Sequence, residues 1–155
     1  MIPISKLKVA YLGDCTRGQV LMAADHSRYG SLVIGRGGEL NVAVQLGGDD
    51  AFSLMRLENA ESYFGVVPED IEFLVDPTTA SSTNANKAGT LSLQGDQLGI
   101  YAKSPNGQAR LVKIRINDSE CSPQDREIWF SRWSVVQRLA SGDSVTLYNF
   151  DLHAQ

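Results

Sequence analysis

The side chains best suited to chemistry in this sequence are cations, and they are unevenly distributed. From Lys87 to Arg115 five bases (Lys87, Lys103, Arg110, Lys113 and Arg115) stand against Asp96, a net of +4. From Glu39 to Asp76 nine acids (Glu39, Asp49, Asp50, Glu58, Glu61, Glu69, Asp70, Glu72 and Asp76) stand against Arg56 alone, a net of −8. Lysine and arginine hold carboxylates, phosphates and sulfates through charge-assisted hydrogen bonds. If the chain on either side of Ser104–Gly107 is a hairpin, alternation puts Tyr101, Lys103, Lys113 and Arg115 on one outward face. A ring among cations on an open sheet can take an anionic ligand, an acidic protein partner or a single nucleic-acid strand. The plainer reading of the same residues is a solvated face whose charges serve solubility. The acidic stretch also permits self-association of oppositely charged faces. Arg132 is a fifth candidate: set among apolar residues, it must extend to water, pair with a carboxylate or meet a ligand.

For catalysis the sequence offers little. Cys15 and His26 form a nucleophile–base pair only if the fold brings them together, and no third residue is indicated to orient them. His153 lies near the end of the chain. Asp14 and Asp49-Asp50 are turn carboxylates without calcium-loop spacing. Gly35-Arg36-Gly37-Gly38 lacks the lysine and the strand-to-helix setting of a phosphate-binding loop, and reads as a turn. Cys15 and Cys121, the two cysteines, have no zinc or redox spacing; two reduced thiols in a cytoplasm is the reading adopted over a disulfide. No catalytic residue, metal site or cofactor is assigned, and the chain reads as a non-enzymatic binding or assembly domain, with a small enzyme of unidentified class as one alternative. The net charge of −4 counts against non-specific nucleic-acid binding, which rests on neutralising phosphates. No apolar run approaches the ~20 residues that span a bilayer, and Met1–Lys6 has no secretory pattern. The expectation is a cytoplasmic protein without membrane contact.

Asp25-x-Ser27-x-x-Gly30 resembles the second half of the motif of PilZ domains, small β-barrels that bind cyclic di-GMP. The resemblance implies a cyclic dinucleotide receptor and is the alternative to the basic face. The family's motif pairs this segment with an upstream R-x-x-x-R that grips the phosphates. Here only Lys6, Lys8 and Arg17 precede Asp25, so the arginine half is missing.

The elements that must position these groups are strands. In Leu40–Leu46 the residues Leu40, Val42, Val44 and Leu46 alternate with Asn41, Ala43 and Gln45, the period of a half-buried strand. Ser31–Ile34 before it and Ala51–Leu57 after it are joined to it by Gly-rich turns, where glycine reaches φ > 0 without strain. Leu7–Tyr11, Gln19–Ala24, Ile71–Val75, Leu91–Leu93, Leu98–Ala102, Val112–Ile116 and Val145–Phe150 supply further strands, and Tyr63–Val67, followed by Pro68, reads as an edge strand or a loop. Asp76–Gly89 is polar and without period, and is expected as a mobile loop. Ser122-Pro123-Gln124-Asp125 has the form of a helix start. An apolar arc of Ile128, Trp129, Trp133, Val135, Val136, Leu139 and Ala140 predicts an α-helix over about 123–140. The 155 residues then make one mostly-β domain, an antiparallel β-barrel or two-sheet sandwich of roughly ten strands with one C-terminal helix and a loose tail at 151–155.

Overall fold

A computed structural model describes residues 2–24, 31–37, 40–57, 63–83, 87–115 and 126–152. Within them run β1 (Leu7–Tyr11), β2 (Val20–Ala23), β3 (Leu32–Gly37), β4 (Leu40–Gln45), β5 (Leu54–Arg56), β6 (Phe64–Pro68) and β7 (Ile71–Val75). The second half holds β8 (Ala80–Ser81), β9 (Leu91–Gln94), β10 (Gln97–Lys103), β11 (Ala109–Arg115), β12 (Glu127–Phe130), β13 (Arg132–Arg138) and β14 (Ser144–Asp151). Eleven strands make one large sheet in the order β1-β6-β2-β3-β11-β10-β9-β12-β8, with β4 on β3 and β5 on β4. The order β14-β13-β7 makes a second sheet. All strand pairs are antiparallel. A sheet wider than about ten strands curls or splits. This one curls until Ser53 bridges Lys103, without closing into a barrel.

Local chemistry explains the joints. In the β10–β11 turn Gly107 takes φ +87° and its N–H donates to the Ser104 carbonyl at 2.9 Å. Asn106 Oδ1 accepts from the Gln108 N–H at 3.1 Å and from the Ser104 hydroxyl. Proline at the second turn position and Asn-Gly after it suit this geometry.

The core explains why some strands do not alternate. Val20, Val33, Val42, Val44, Ile100, Val112 and Ile114 of the large sheet pack in one cluster with Trp133 of the smaller sheet. Leu21, Leu32, Ile34 and Ala43 face the other way, onto Leu12, Cys15 and Val67. Strands covered on both faces read as continuous apolar runs, as Leu32-Val33-Ile34 does. The alternation in β4 fails at both ends because only its second part, from Val42 to Gln45, is covered on both faces. Leu40, expected in the core, is 71% exposed, and Gln45, expected outside, is buried with its amide donating to the Gly47 carbonyl at 2.9 Å.

The helix expected over 123–140 is absent: among the described residues no α-helix occurs, and 127–138 form β12 and β13. Residues 122–125, its expected cap, lie outside the described residues. Ile128-Trp129-Phe130 and Val135-Val136 are β-branched or aromatic, types that lose χ1 freedom in a helix and pack well on a pleated sheet. The helical period has a specific origin. β12 and β13 are separated at Ser131, and a register shift between Val135 and Val136 buries Val135, Val136 and Gln137 in succession. Burial at 129–130, 133 and 135–137 then mimics a 3.6-residue repeat.

Of the segment expected as a loop over 76–89, Pro77–Thr79 is a 3-10 turn and Ala80–Ser81 pairs with β12; 84–86 lie outside the described residues. In the expected tail, Leu152 is buried and its N–H reaches the Ser131 carbonyl at 3.0 Å.

The two sheets meet at Trp133, which is buried. Its indole N–H donates to the Gly89 carbonyl at 2.8 Å, and its ring centroid lies 4.4 Å from that of Phe150 and 6.2–6.3 Å from those of Phe73 and Phe52. At the β2–β6 pair a Cβ on Gly65 would lie 2.1 Å from the Met22 carbonyl oxygen, whereas one on Gly47 would meet nothing within 4 Å. Gly65→Ala is therefore expected to lower stability by more than about 1 kcal/mol and Gly47→Ala to stay within about 0.5 kcal/mol of wild type. Equal urea midpoints for the two variants would contradict the β2–β6 register.

Candidate ligand-binding site

The β10–β11 register sets Gly99 opposite Lys113, Tyr101 opposite Leu111 and Lys103 opposite Ala109. Tyr101, Lys103 and Lys113 thus share one face, as alternation requires. Tyr101 is nevertheless only 9% exposed. Its hydroxyl donates to Glu127 Oε1 at 2.9 Å, which also accepts from the Ser92 hydroxyl. Burial pushes the Tyr101 phenol above its ordinary value of 10.0; Trp129 pulls the other way, and the Glu127 carboxylate adds to the rise. Glu127 reaches this position on β12; a helix would have turned it to solvent, so no sequence signal pointed to it.

Lys103 lies four residues along β10 from the position opposite Lys113, about 13 Å away, so the two are not one patch. Arg115 is displaced differently. The register shift between Leu98 and Gly99 sets it opposite Leu98, at the rim of a cleft between the sheets. Arg132 is remote from the others and engaged: its Nη1 donates to Asp76 Oδ2 at 2.9 Å and its Nε to Asp151 Oδ2 at 3.0 Å. The Thr78 hydroxyl and N–H, followed by Arg132, hold the Asp76 carboxyl below its usual range.

Charge segregation in the sequence is thereby partly undone in space. Lys6 meets Asp70 at 2.7 Å, Arg138 meets Glu72 at 2.9 Å, and Arg132 joins Asp76 and Asp151. In contrast, Arg17, Lys103, Lys113 and Arg115 have no carboxylate partner among the described residues. The sole side-chain hydrogen bond of Arg115 there runs from Nε to the Asp96 carbonyl at 3.3 Å.

The cleft has a volume of about 870 Å³, within the ~300–1,000 Å³ range of small-ligand sites. Ile71, Phe73 and Val75 of β7 line one wall; Leu93, Leu98, Ile114 and Phe130 of the large sheet line the other. Thr16, Arg17, Gln19, Glu72 and Arg115 supply its polar edge. Arg17 is held by a compact turn. The Thr16 N–H donates to Gln19 Oε1 at 2.9 Å, Gly18 takes φ +87°, and the Gly18 N–H bonds the Ile34 carbonyl at 2.8 Å. No reading of the sequence singled out Arg17 as a partner of Arg115, with which it lines the cleft.

The other chemical candidates do not assemble. Cys15 is buried, with its Sγ 3.4 Å from the Tyr11 carbonyl oxygen, and burial raises its thiol above the ordinary 9.0, the reverse of an activated nucleophile. His26, the whole of Asp25–Gly30, Cys121 and His153 lie outside the described residues. Among the described residues no three His, Cys, Asp or Glu side chains gather as a metal site, and no helix is long and apolar enough to cross a membrane.

Cys15 and Tyr101 set an alkaline limit. Both have raised folded values, so their contribution to stability is complete below the unfolded values of 9.0 and 10.0 and is lost as pH rises through and beyond them. Urea unfolding is expected to be nearly constant from neutrality to about pH 8.5 and to weaken above it, with a shallower loss in Cys15→Ala and Tyr101→Phe. An alkaline slope equal to wild type in both variants would contradict this burial.

No curated protein and no solved structure matches the chain. A family model described as "Uncharacterised protein y4lG" matches residues 12–155, and the chain belongs to that family.

Proposed function

We propose that the protein is a non-enzymatic binding domain that recognises an anionic ligand or partner at a cationic corner where Arg17 and Arg115 line one cleft, with Lys113 two residues before Arg115 on β11. The observation that carries this reading is the contrast in how cations are used. Lys6, Arg132 and Arg138 are spent on Asp70, Asp76, Asp151 and Glu72, while Arg17, Lys113 and Arg115 have no carboxylate to answer them among the described residues. Unpaired guanidinium and ammonium groups near one another attract an anion electrostatically and can hold it by charge-assisted hydrogen bonds. The same ion pairs weigh against self-association through opposite charge, because Asp70, Glu72 and Asp76 are already engaged. Lys103 belongs to the outer face of the same hairpin and can extend the field, and Tyr101 acts from beneath by fixing β10 to β12.

A polyanion reads exposed cations whatever the natural ligand is. On immobilised heparin at low salt the wild type, despite its net charge of −4, is expected to be retained. Lys113→Glu/Arg115→Glu, folded by far-ultraviolet circular dichroism, is expected to flow through. Flow-through of the wild type, or equal elution of the two proteins, would refute the reading.

A further inference from the structure

The cationic corner opens onto a cleft whose interior has a different chemistry from its edge. Beyond Arg17 and Arg115 the walls are hydrocarbon: Ile71 and Phe73 from β7, Leu98, Ile114 and Phe130 from the large sheet. A sugar or nucleobase buried among these side chains would leave its polar atoms unmatched, at a cost of about 1–3 kcal/mol for each. An apolar body gains on transfer there instead, at roughly 25 cal/mol per Å² of surface removed from water. The one acid among the lining residues, Glu72, already accepts from Arg138 Nε at 2.9 Å, so its repulsion of an incoming anion is reduced.

We infer that the cleft binds a single-chain amphipathic anion, a fatty-acid-like molecule whose carboxylate meets Arg17 and Arg115 and whose hydrocarbon chain lies between β7 and the large sheet. This rests on the anion-binding reading above and specifies its ligand class. The juxtaposition is unusual for a β-sandwich core, where facing sheets interdigitate at close packing. Here Trp133 fills the space between the sheets along β13, and the separation persists beside β7, the edge strand of the smaller sheet. The arginines stand where a chain entering that gap would leave its head in water. Arginine suits the task because its planar fork matches a carboxylate in two hydrogen bonds.

The test is isothermal titration of the full chain with dodecanoate, hexanoate and dodecan-1-ol below their aggregation limits, and with anionic phosphatidylglycerol vesicles. Dodecanoate is expected to bind at least about tenfold more tightly than hexanoate or dodecan-1-ol, a tenfold ratio being about 1.4 kcal/mol. Arg17→Gln/Arg115→Gln is expected to lose about tenfold or more in dodecanoate affinity. Ile71→Trp, which adds bulk at a half-buried position of the cleft, should lose it without any change in heparin retention. Equal affinity for hexanoate and dodecanoate overturns the hydrocarbon cleft and leaves the cationic corner standing. Equal affinity for dodecanoate and dodecan-1-ol overturns the head-group assignment. Binding that survives Ile71→Trp, or that occurs with vesicles and not with free dodecanoate, places the ligand elsewhere and overturns the inference. If Ile71→Trp fails to fold, Val75→Phe on the same wall serves in its place.

Discussion

The packing of Trp133 between two sheets is the constraint on which the rest of this structure depends. A three-stranded antiparallel sheet with one covered face cannot stand alone in water, and β7-β13-β14 must cover the large sheet to bury its side chains. Trp133 does this with its full ring area, in tilted contact with Phe52, Phe73 and Phe150, and its polar handle is satisfied by the Gly89 carbonyl. A buried indole without such an acceptor would be costly. A Cβ on Gly89 would lie 2.6 Å from the Phe52 ring, and this residue sits at φ +94°. The position that accepts the indole bond is thus one where a larger residue would push against the same aromatic cluster.

At the far end of β13 a second tie acts through polar atoms. Gln137 is fully buried, and its amide nitrogen donates to the carbonyls of Lys6 and Glu69, each at 2.9 Å. The smaller sheet is therefore held by an aromatic cluster and by hydrogen bonds to the chain beside β1 and β6. Between these ties and the edge strand β7 lies the gap that Ile71, Phe73, Leu98 and Ile114 line. Rigid walls fixed elsewhere can keep such a gap from collapsing, at the cost of lost dispersion contacts within it.

Much of the fold was legible in sequence because alternation and turn chemistry act locally. The bounds of β1 (Leu7–Tyr11) and β7 (Ile71–Val75) and the turn at Ser104–Gly107 each follow from their own residues. What failed depended on neighbours distant in sequence. Leu40 and Gln45 exchanged expected environments because β4 is covered on both faces only along part of its length. The strands β12 and β13 imitated a helix because an interrupted, bulged pair buries side chains at near-helical spacing, while their content of Ile, Trp and Val agreed with strands throughout. Arg132 followed that error: on a helix it interrupts an apolar arc, but at the start of β13 it joins two carboxylates. The charge pattern was legible as composition and misleading as geography, since Lys6, Arg138 and Arg132 come from elsewhere in the chain to pair with Asp70, Glu72 and Asp76, three of the nine acids in the run. The cleft was not legible, because its walls come from β7, β9, β10, β11 and β12, and no periodicity announces the space between two faces.

The central claim is that one buried indole, bonded to the Gly89 carbonyl, clamps the two sheets together. Hydrogen exchange at the Trp133 indole N–H, followed by NMR under native conditions, tests it most directly. The account predicts that this proton exchanges only through global unfolding, as slowly as the most protected backbone amides of β10 and β11. Exchange through local opening, orders of magnitude faster than those amides, would contradict it.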